Sequence, residues 1–183
     1  DKEHVPYGTR TPSEILTFVT PILQSLVDEG SDAIVIACNT VSTNLMPSLR
    51  DIFSTPLVAV EPMIKRAASL SHSNIITVCA TPTTLASPRY TYLKHRYARD
   101  VRIIEPDCSD WAYMIEHNHV EQDKIRLRVE ASLAAGADVI VLGGTHYHWI
   151  EKEIKAIAQA RAQILQPEPV VISQLRQLLG LRA

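Results

Sequence analysis

Short apolar runs alternate with amphipathic stretches along this chain, a pattern typical of parallel β-α-β units. The runs are rich in Val and Ile and predict buried strands at 32–37, 57–60, 75–79, 101–104 and 138–142. The amphipathic stretches predict helices at 13–29, 40–53, 61–70, 88–99, 109–117, 119–135, 148–165 and 170–180. The pattern therefore predicts an α/β protein built on parallel sheets.

A polar run at 70–74 separates a helix from a new strand, and it predicts a boundary between two lobes. The chain opens on a polar loop, 1–8, with no strand before it. Doubly wound sheets usually begin with a central strand. The pattern leaves two possibilities open: a first strand–helix unit is missing, or the fold simply starts with a loop.

Composition narrows the class of protein. A length of 183 residues allows one domain or two small lobes. Lys and Arg number 18 and Asp and Glu 20, a net charge of −2, which predicts neither a nucleic-acid nor an anionic-membrane partner. Three cysteines make no disulfide framework, and no apolar stretch reaches the length of a membrane span. We therefore expect a soluble, cytoplasmic protein.

Cys38 is a candidate for chemistry, because it follows a predicted strand and precedes a predicted helix. Asn39 or Thr40 is expected to cap that helix. The positive end of a helix dipole favours a thiolate and lowers the pKa of a cysteine there. The plain alternative is that Cys38 is a small buried apolar side chain, as free cysteines often are.

Two further strand ends carry polar side chains. Gly143 and Gly144 allow a close backbone approach, and Thr145 and His146 follow with a hydroxyl and an acid–base group. A second cluster of threonines, at 81, 83 and 84, opens a helix after the strand at 75–79. Taken alone, either segment could be an ordinary turn or cap. The sequence has no Cys/His spacing typical of zinc and no glycine-rich nucleotide motif.

Taken together, these segments resemble the glutamate racemases. The matching segments follow the order of that family along nearly the whole chain: Val5–Arg10, Ala37–Thr40, Val60–Pro62, Ala80–Thr84, Cys108 with Glu116, and Leu142–Tyr147. The segments around Cys38 and His146 are the most specific of these.

The resemblance implies two doubly wound, flavodoxin-like parallel-sheet lobes that face each other across a cleft, with the first strand–helix unit missing. Residues 1–72 and 147–183 would form the first lobe and 73–146 the second. It also implies a reaction without cofactor or metal that supplies D-glutamate for peptidoglycan, in a possible homodimer. A thiolate takes the α-proton of glutamate from one face while a thiol protonates the other face.

The same resemblance implies roles for individual residues. Cys38 would be the base that acts on D-glutamate, and His146 would assist on the L-glutamate side. The implied substrate ligands are Pro6, Tyr7, Gly8, Asn39, Thr40, Thr81, Thr84, Glu116 and Thr145. Gly144 stands where the family has its second cysteine. Since loss of a general acid or base costs about 10²–10⁴-fold in rate, we expect impaired racemisation.

Two other functions fit the same residues. The chain could be a non-catalytic relative that binds a dicarboxylic amino acid or a protein partner. It could also be a hydrolase or transferase with Cys38 as nucleophile and His146 as base, which requires the two side chains to lie within hydrogen-bond reach.

Overall fold

The computed structural model describes residues 1–181 and contains two parallel sheets. The smaller sheet pairs β1 (Ile34–Ile36) with β2 (Leu57–Ala59). Helices α1 (Pro12–Asp28) and α2 (Asn39–Ile52) cover one face of it, and their apolar side chains form one core with β1 and Leu57. The α/β class with parallel strands that the sequence predicts is confirmed.

The larger sheet has four strands in the order β4-β3-β5-β6, all parallel. These strands are β3 (Ile75–Cys79), β4 (Arg102–Ile104), β5 (Val139–Leu142) and β6 (Gln163–Leu165). The central strand β5 is buried at every position. The helices of this half are α3 (Ile64–Leu70), α4 (Pro82–Leu85), α5 (Pro88–Tyr97), α6 (Trp111–Glu116), α7 (Gln122–Ala134) and α8 (Glu151–Ala158).

The predicted helix at 148–165 is correct over Glu151–Ala158 and wrong on either side of it. The chain instead forms a 3-10 helix over Thr145–Ile150, then α8, then β6. Gln159 takes a left-handed φ of 51° and ends α8, after which the chain turns into β6. β6 pairs with β5 through Ile164 opposite Ile140, a contact that local sequence does not encode.

This pairing also corrects the predicted lobe division. The resemblance implies that residues 147–183 belong to the first lobe, yet 151–165 pack with the four-stranded sheet, since α8 lies on α7 and β6 extends that sheet. Of the elements described in this segment, only the last helix, α9 (Glu168–Leu178), returns to the smaller sheet. There Val171 packs against Val58 and Val60, on the face opposite α1 and α2.

Helix ends follow local chemistry. Thr11 caps α1, and its hydroxyl accepts from the Glu14 N–H while the Glu14 carboxylate accepts from the Thr11 N–H. Gly30 and Gly136 follow α1 and α7 with φ of 82° and 94°, as a helix C-terminus requires. None of the helices described is long and apolar enough to cross a membrane.

Candidate functional site

The candidate residues meet where the carboxyl ends of the two sheets approach each other. The Thr145 hydroxyl, after β5, donates to the Ala37 carbonyl, after β1, at 3.2 Å. The Thr40 hydroxyl, in the first turn of α2, lies 3.0 Å from the Thr81 hydroxyl and 3.2 Å from that of Thr84. The fold therefore brings Thr40 together with Thr81 and Thr84, and it brings Thr145 to the carbonyl next to Cys38, although these segments are far apart in the chain.

Cys38 is the N-cap residue of α2, and its side chain makes no capping hydrogen bond. The prediction that Asn39 or Thr40 caps this helix is therefore wrong. The backbone N–H groups of Val41 and Thr40 and the Thr40 hydroxyl face its sulfur. Burial raises the pKa of the Cys38 thiol, and these donors lower it by less. The expected lowering of this pKa is therefore wrong, because removal of the thiolate from water outweighs the helix N-terminus.

Three buried threonine hydroxyls form a triangle between the two halves. The third side, from Thr81 to Thr84, is 3.0 Å long, and all three side chains are at most 9% exposed. Asn39, which precedes Thr40 in the sequence, is 2% exposed, and within residues 1–181 neither polar atom of its side chain has a hydrogen-bond partner. An unpaired buried amide costs about 1–3 kcal/mol, which makes Asn39 an unusual feature of the site.

Asn44 is a residue of this region that the sequence analysis missed. Its Nδ2 donates to the Thr40 carbonyl at 2.8 Å and to the Thr83 carbonyl at 3.3 Å, so it links α2 to α4. A signal was present in the sequence. The first turns of α2 hold an excess of polar side chains, several of which the structure buries, including Ser42 and Thr43.

The loop at the chain start closes one side of the site. Gly8 lies so near Thr81 that a Cβ at this glycine would sit 2.7 Å from the threonine Cγ2, so no larger residue fits without movement. The Thr83 hydroxyl donates to the Gly8 carbonyl at 2.6 Å. Tyr7 is buried, and its hydroxyl donates a hydrogen bond to the Asp1 carboxylate. The pKa of this hydroxyl is raised, mainly by burial and to a smaller extent by the nearby Cys38. Pro6 is the N-cap residue of a short 3-10 helix, Tyr7–Thr9, in this loop.

The opposite wall carries Gly144, in extended backbone at φ −145°. A Cβ there would meet the ring of Tyr147 at 3.0 Å, so the ring occupies the space beside the glycine. Tyr147 is fully buried, and its hydroxyl donates to the Cys108 carbonyl at 3.2 Å. The buried Tyr147 ring therefore fills the space next to Gly144, and residue 144 itself contributes no side chain to this wall.

His146 contacts Glu116 rather than forming a dyad with Cys38. Its Nε2 lies 2.5 Å from Oε1 of Glu116, a residue of α6, and both side chains are partly exposed. Among the residues described, no hydrogen bond joins His146 to Cys38. This arrangement disfavours the hydrolase or transferase hypothesis, which requires such a contact.

An apolar cavity of about 440 Å³ lies behind Gly144 and Thr145. Its walls come from β1, the 3-10 helix and α9, and include Val35, Trp149 and Leu175.

Comparison with known proteins places this site in context. The profile of the Asp/Glu/Hydantoin racemase family matches residues 1–174. Glutamate racemase of Pseudomonas putida strain F1 is 34% identical over 185 residues, which span 98% of this chain and 70% of that protein. Glutamate racemase of Herpetosiphon aurantiacus is 34% identical over 184 residues, with 98% of this chain and 72% of that protein covered.

Solved structures agree. Escherichia coli glutamate racemase, in complex with L-glutamate and the activator UDP-MurNAc-Ala, matches with a TM-score of 0.89 and 26% identity, over 100% of this chain and 71% of that one. Francisella tularensis glutamate racemase, in complex with D-glutamate, matches with a TM-score of 0.78 and 27% identity, over 98% and 69%.

This chain belongs to the Asp/Glu/Hydantoin racemase family. Within that family, it matches glutamate racemases, which are isomerases, along nearly its whole length.

Proposed function

We propose that the cleft binds glutamate and that Cys38 exchanges a proton at its α-carbon, while racemisation is impaired because Gly144 supplies no acid to the opposite face. The observation that carries this proposal is the unpaired, buried amide of Asn39, the residue that precedes Thr40 of the threonine triangle. Buried polar groups without partners are costly, and a ligand rich in both donors and acceptors would satisfy them.

Glutamate has the groups that these side chains need. An ammonium group donates to the Asn39 carbonyl oxygen, and a carboxylate accepts from its Nδ2 and from threonine hydroxyls. Thr40, Thr81 and Thr84 can rotate their hydroxyls toward a carboxylate, since each hydroxyl both donates and accepts. In this proposal the Pro6–Gly8 loop, Thr145 and Glu116 complete the substrate site.

Cys38 is the proposed base for D-glutamate. Because burial raises its pKa, the thiol form predominates at neutral pH, and the thiolate must gain stabilisation at the moment of proton transfer. The N–H groups of Val41 and Thr40 and the Thr40 hydroxyl supply that stabilisation, as they face the sulfur. His146, paired with Glu116, would assist on the other side of the substrate.

Inversion of a carbon centre requires proton transfer at two faces, and a single side chain cannot reach both. With glycine at 144, only water or His146 could deliver the second proton. We therefore expect racemisation slower than in two-cysteine relatives by about 10²–10⁴-fold. One-sided exchange with solvent, through Cys38 and without inversion, should persist.

The test incubates D- and L-glutamate separately with the protein in D₂O. Circular dichroism follows inversion, and mass spectrometry follows deuterium at the α-carbon. We expect deuterium in D-glutamate well before inversion, none with Cys38→Ala, and faster inversion with Gly144→Cys. Gly144→Ala is the matched control, since it makes the same contact with the Tyr147 ring but adds no thiol.

Three results would count against the proposal. Inversion by the parent chain within tenfold of the P. putida relative would show that residue 144 is not needed. Equal deuterium uptake into both enantiomers would rule out one-sided chemistry. Exchange that survives Cys38→Ala would remove the proposed base.

The missing acid at residue 144 also favours a second candidate: a relative that binds a dicarboxylic amino acid, or a protein partner, without catalysis. Calorimetric binding of D-glutamate, lost in Asn39→Ala and without any deuterium exchange, would support this candidate over the first.

We also propose a cellular role, a location and an oligomeric state for this protein. It would supply D-glutamate for peptidoglycan, lie in the cytoplasm and form a homodimer. Complementation of a D-glutamate auxotroph by the Gly144→Cys variant, and light scattering for the oligomeric state, would test these points.

A further inference from the structure

Helix α4 carries two of the three threonines of the triangle, yet it has only four residues, Pro82–Leu85. Thr81 caps it, and the Thr81 hydroxyl accepts from the Thr84 N–H at 3.3 Å. A helix this short is not stable in water by itself, because no further turns repay the cost of forming the first one. Contacts with the rest of the molecule must therefore hold α4 where its threonines meet Thr40.

Two side chains fasten α4 to the other half of the molecule. From α2, the Asn44 Nδ2 donates to the Thr40 carbonyl at 2.8 Å and to the Thr83 carbonyl at 3.3 Å. From α4, the Thr83 hydroxyl donates to the Gly8 carbonyl at 2.6 Å. Because α4 contacts both α2 and the 3-10 helix at Tyr7–Thr9, these bonds hold it on two sides. We call Asn44 and Thr83 together the α4 clasp.

A carboxylate would affect the threonine triangle and the clasp differently. It only accepts hydrogen bonds, so it would take the donor protons of Thr40, Thr81 and Thr84 and break the bonds among these hydroxyls. Two of those bonds join α2 to the α4 segment, and they would be lost on binding. The clasp uses none of the three hydroxyls, so its bonds remain when the triangle opens.

We propose that Asn44 and Thr83 are positioning residues for a dicarboxylic ligand: they hold α4 against α2 while the hydroxyls of the triangle turn from one another to a carboxylate. This inference rests on the proposed function, since it takes glutamate as the ligand. Both side chains act through backbone carbonyls and need no contact with the ligand. The clasp thereby keeps most molecules competent for binding, and the apparent affinity falls in proportion when that fraction falls.

The first experiment removes the clasp and follows α-deuterium exchange of D-glutamate. Asn44→Ala removes one clasp donor, and Thr83→Val removes the other but keeps the shape of the side chain. A net hydrogen bond is equivalent to about two- to tenfold in an equilibrium constant, so we expect the half-saturating D-glutamate concentration to rise by about three- to tenfold in either variant. The maximal rate should stay within about twofold of the parent, and Thr83→Ser, which keeps the donor, should restore the parent concentration.

The second experiment needs no ligand. Amide hydrogen exchange by mass spectrometry should be faster over 81–87 in Asn44→Ala and Thr83→Val than in the parent and in Thr83→Ser. Thr20→Ala is the matched control, because the Thr20 hydroxyl donates to the Leu16 carbonyl at 2.7 Å within α1. This control loses the same kind of bond but should leave both the half-saturating concentration and the exchange over 81–87 unchanged.

Three results would contradict the positioning role. Parent-like amide exchange over 81–87 in both clasp variants would show that α4 does not depend on the clasp. A lower maximal rate at an unchanged half-saturating concentration would mean that these residues affect the chemical step instead. Failure of Thr83→Ser to restore the parent concentration would show that the hydrogen bond of Thr83 is not what holds α4.

The clasp and the proposed function can fail separately. If the parent neither exchanges the α-hydrogen nor binds glutamate in calorimetry, the proposed function fails, and glutamate with it. Amide exchange over 81–87 still decides whether the clasp holds α4. If the parent binds D-glutamate without exchange, the dissociation constant takes the place of the half-saturating concentration. If the variants match the parent in every constant, only the clasp fails.

Asn44 and Thr83 are partly exposed, so the variants should fold. Thermal unfolding of each variant verifies this first. If Asn44→Ala unfolds at the assay temperature, the comparison of Thr83→Val with Thr83→Ser decides the matter.

Discussion

Asp138, just before β5, accepts hydrogen bonds from the loop that follows α3. We expect its negative charge to contribute to the pH dependence of the protein's stability. The carboxylate accepts from the Ser71 hydroxyl at 2.6 Å and from the backbone N–H groups of His72 and Ser73 at 2.6 and 2.8 Å. Burial alone would raise the pKa of Asp138, but these bonds outweigh it and lower the pKa from 3.8 to about 2.

The size of the effect follows from that shift. A pKa lowered from 3.8 to about 2 corresponds to at most about 2 kcal/mol at neutral pH, since solvent screens part of the interaction of this partly exposed carboxylate. Because the pKa is lower in the folded state, this stabilisation is complete above about pH 4. It is lost as the pH falls toward 2. Asp138→Asn keeps one acceptor oxygen, so we expect it to destabilise the protein by about 1–2 kcal/mol at pH 7.

Urea unfolding followed by circular dichroism, at pH 7, 5, 3.5 and 2.5, measures this difference. The gap between parent and Asp138→Asn should be constant from pH 7 to 5 and should narrow below pH 4. Asp100→Asn, at an exposed aspartate, is the control and should stay within about 0.5 kcal/mol of the parent. An undiminished gap at pH 2.5, or no gap at pH 7, would refute the assigned role of the Asp138 charge.

Three further predictions concern the candidate site. Gly8→Ala places a methyl group 2.7 Å from Thr81 Cγ2 and should destabilise the protein by about 1–3 kcal/mol in urea unfolding; a neutral effect would mean that the loop moves freely. Cys38 should react slowly with iodoacetamide at pH 7 and faster above pH 9, because its pKa is raised, and a pH-independent rate by mass spectrometry would contradict this. Tyr147→Phe loses the hydrogen bond to the Cys108 carbonyl and should cost about 1 kcal/mol, whereas unchanged thermal stability would show that the bond contributes nothing.

Local signals in the sequence located most of the fold. The five apolar runs became β1 to β5; in the inner strands β3 and β5 the reason is clear, because a strand buried on both faces needs a continuous run of apolar side chains. The Thr11 and Glu14 pair and the glycines after α1 and α7 marked helix ends through bonds and φ angles that involve neighbours in sequence. The family segments around Cys38 and His146 could also be recognised from the sequence, because each consists of a few consecutive residues.

β6 shows where local reasoning failed. Ile154, Ile157 and Ala158 have helical spacing, and the residues after them favour a helix as well, so the pattern extends a helix through 165. The chain forms a strand at 163–165 because the edge of β5 offers hydrogen bonds there. That edge belongs to another part of the chain, and the helical propensity of a few residues is weaker than such pairing.

The sequence by itself thus determined the parallel α/β class, the family and the identity of residue 144 as glycine, since each is written in neighbouring residues. The tertiary structure alone decided the direction of the Cys38 pKa shift, the pairing of His146 with Glu116, and the meeting of Thr40 with Thr81 and Thr84. These properties depend on burial and on distances between residues far apart in the chain, and such quantities exist only once the chain has folded.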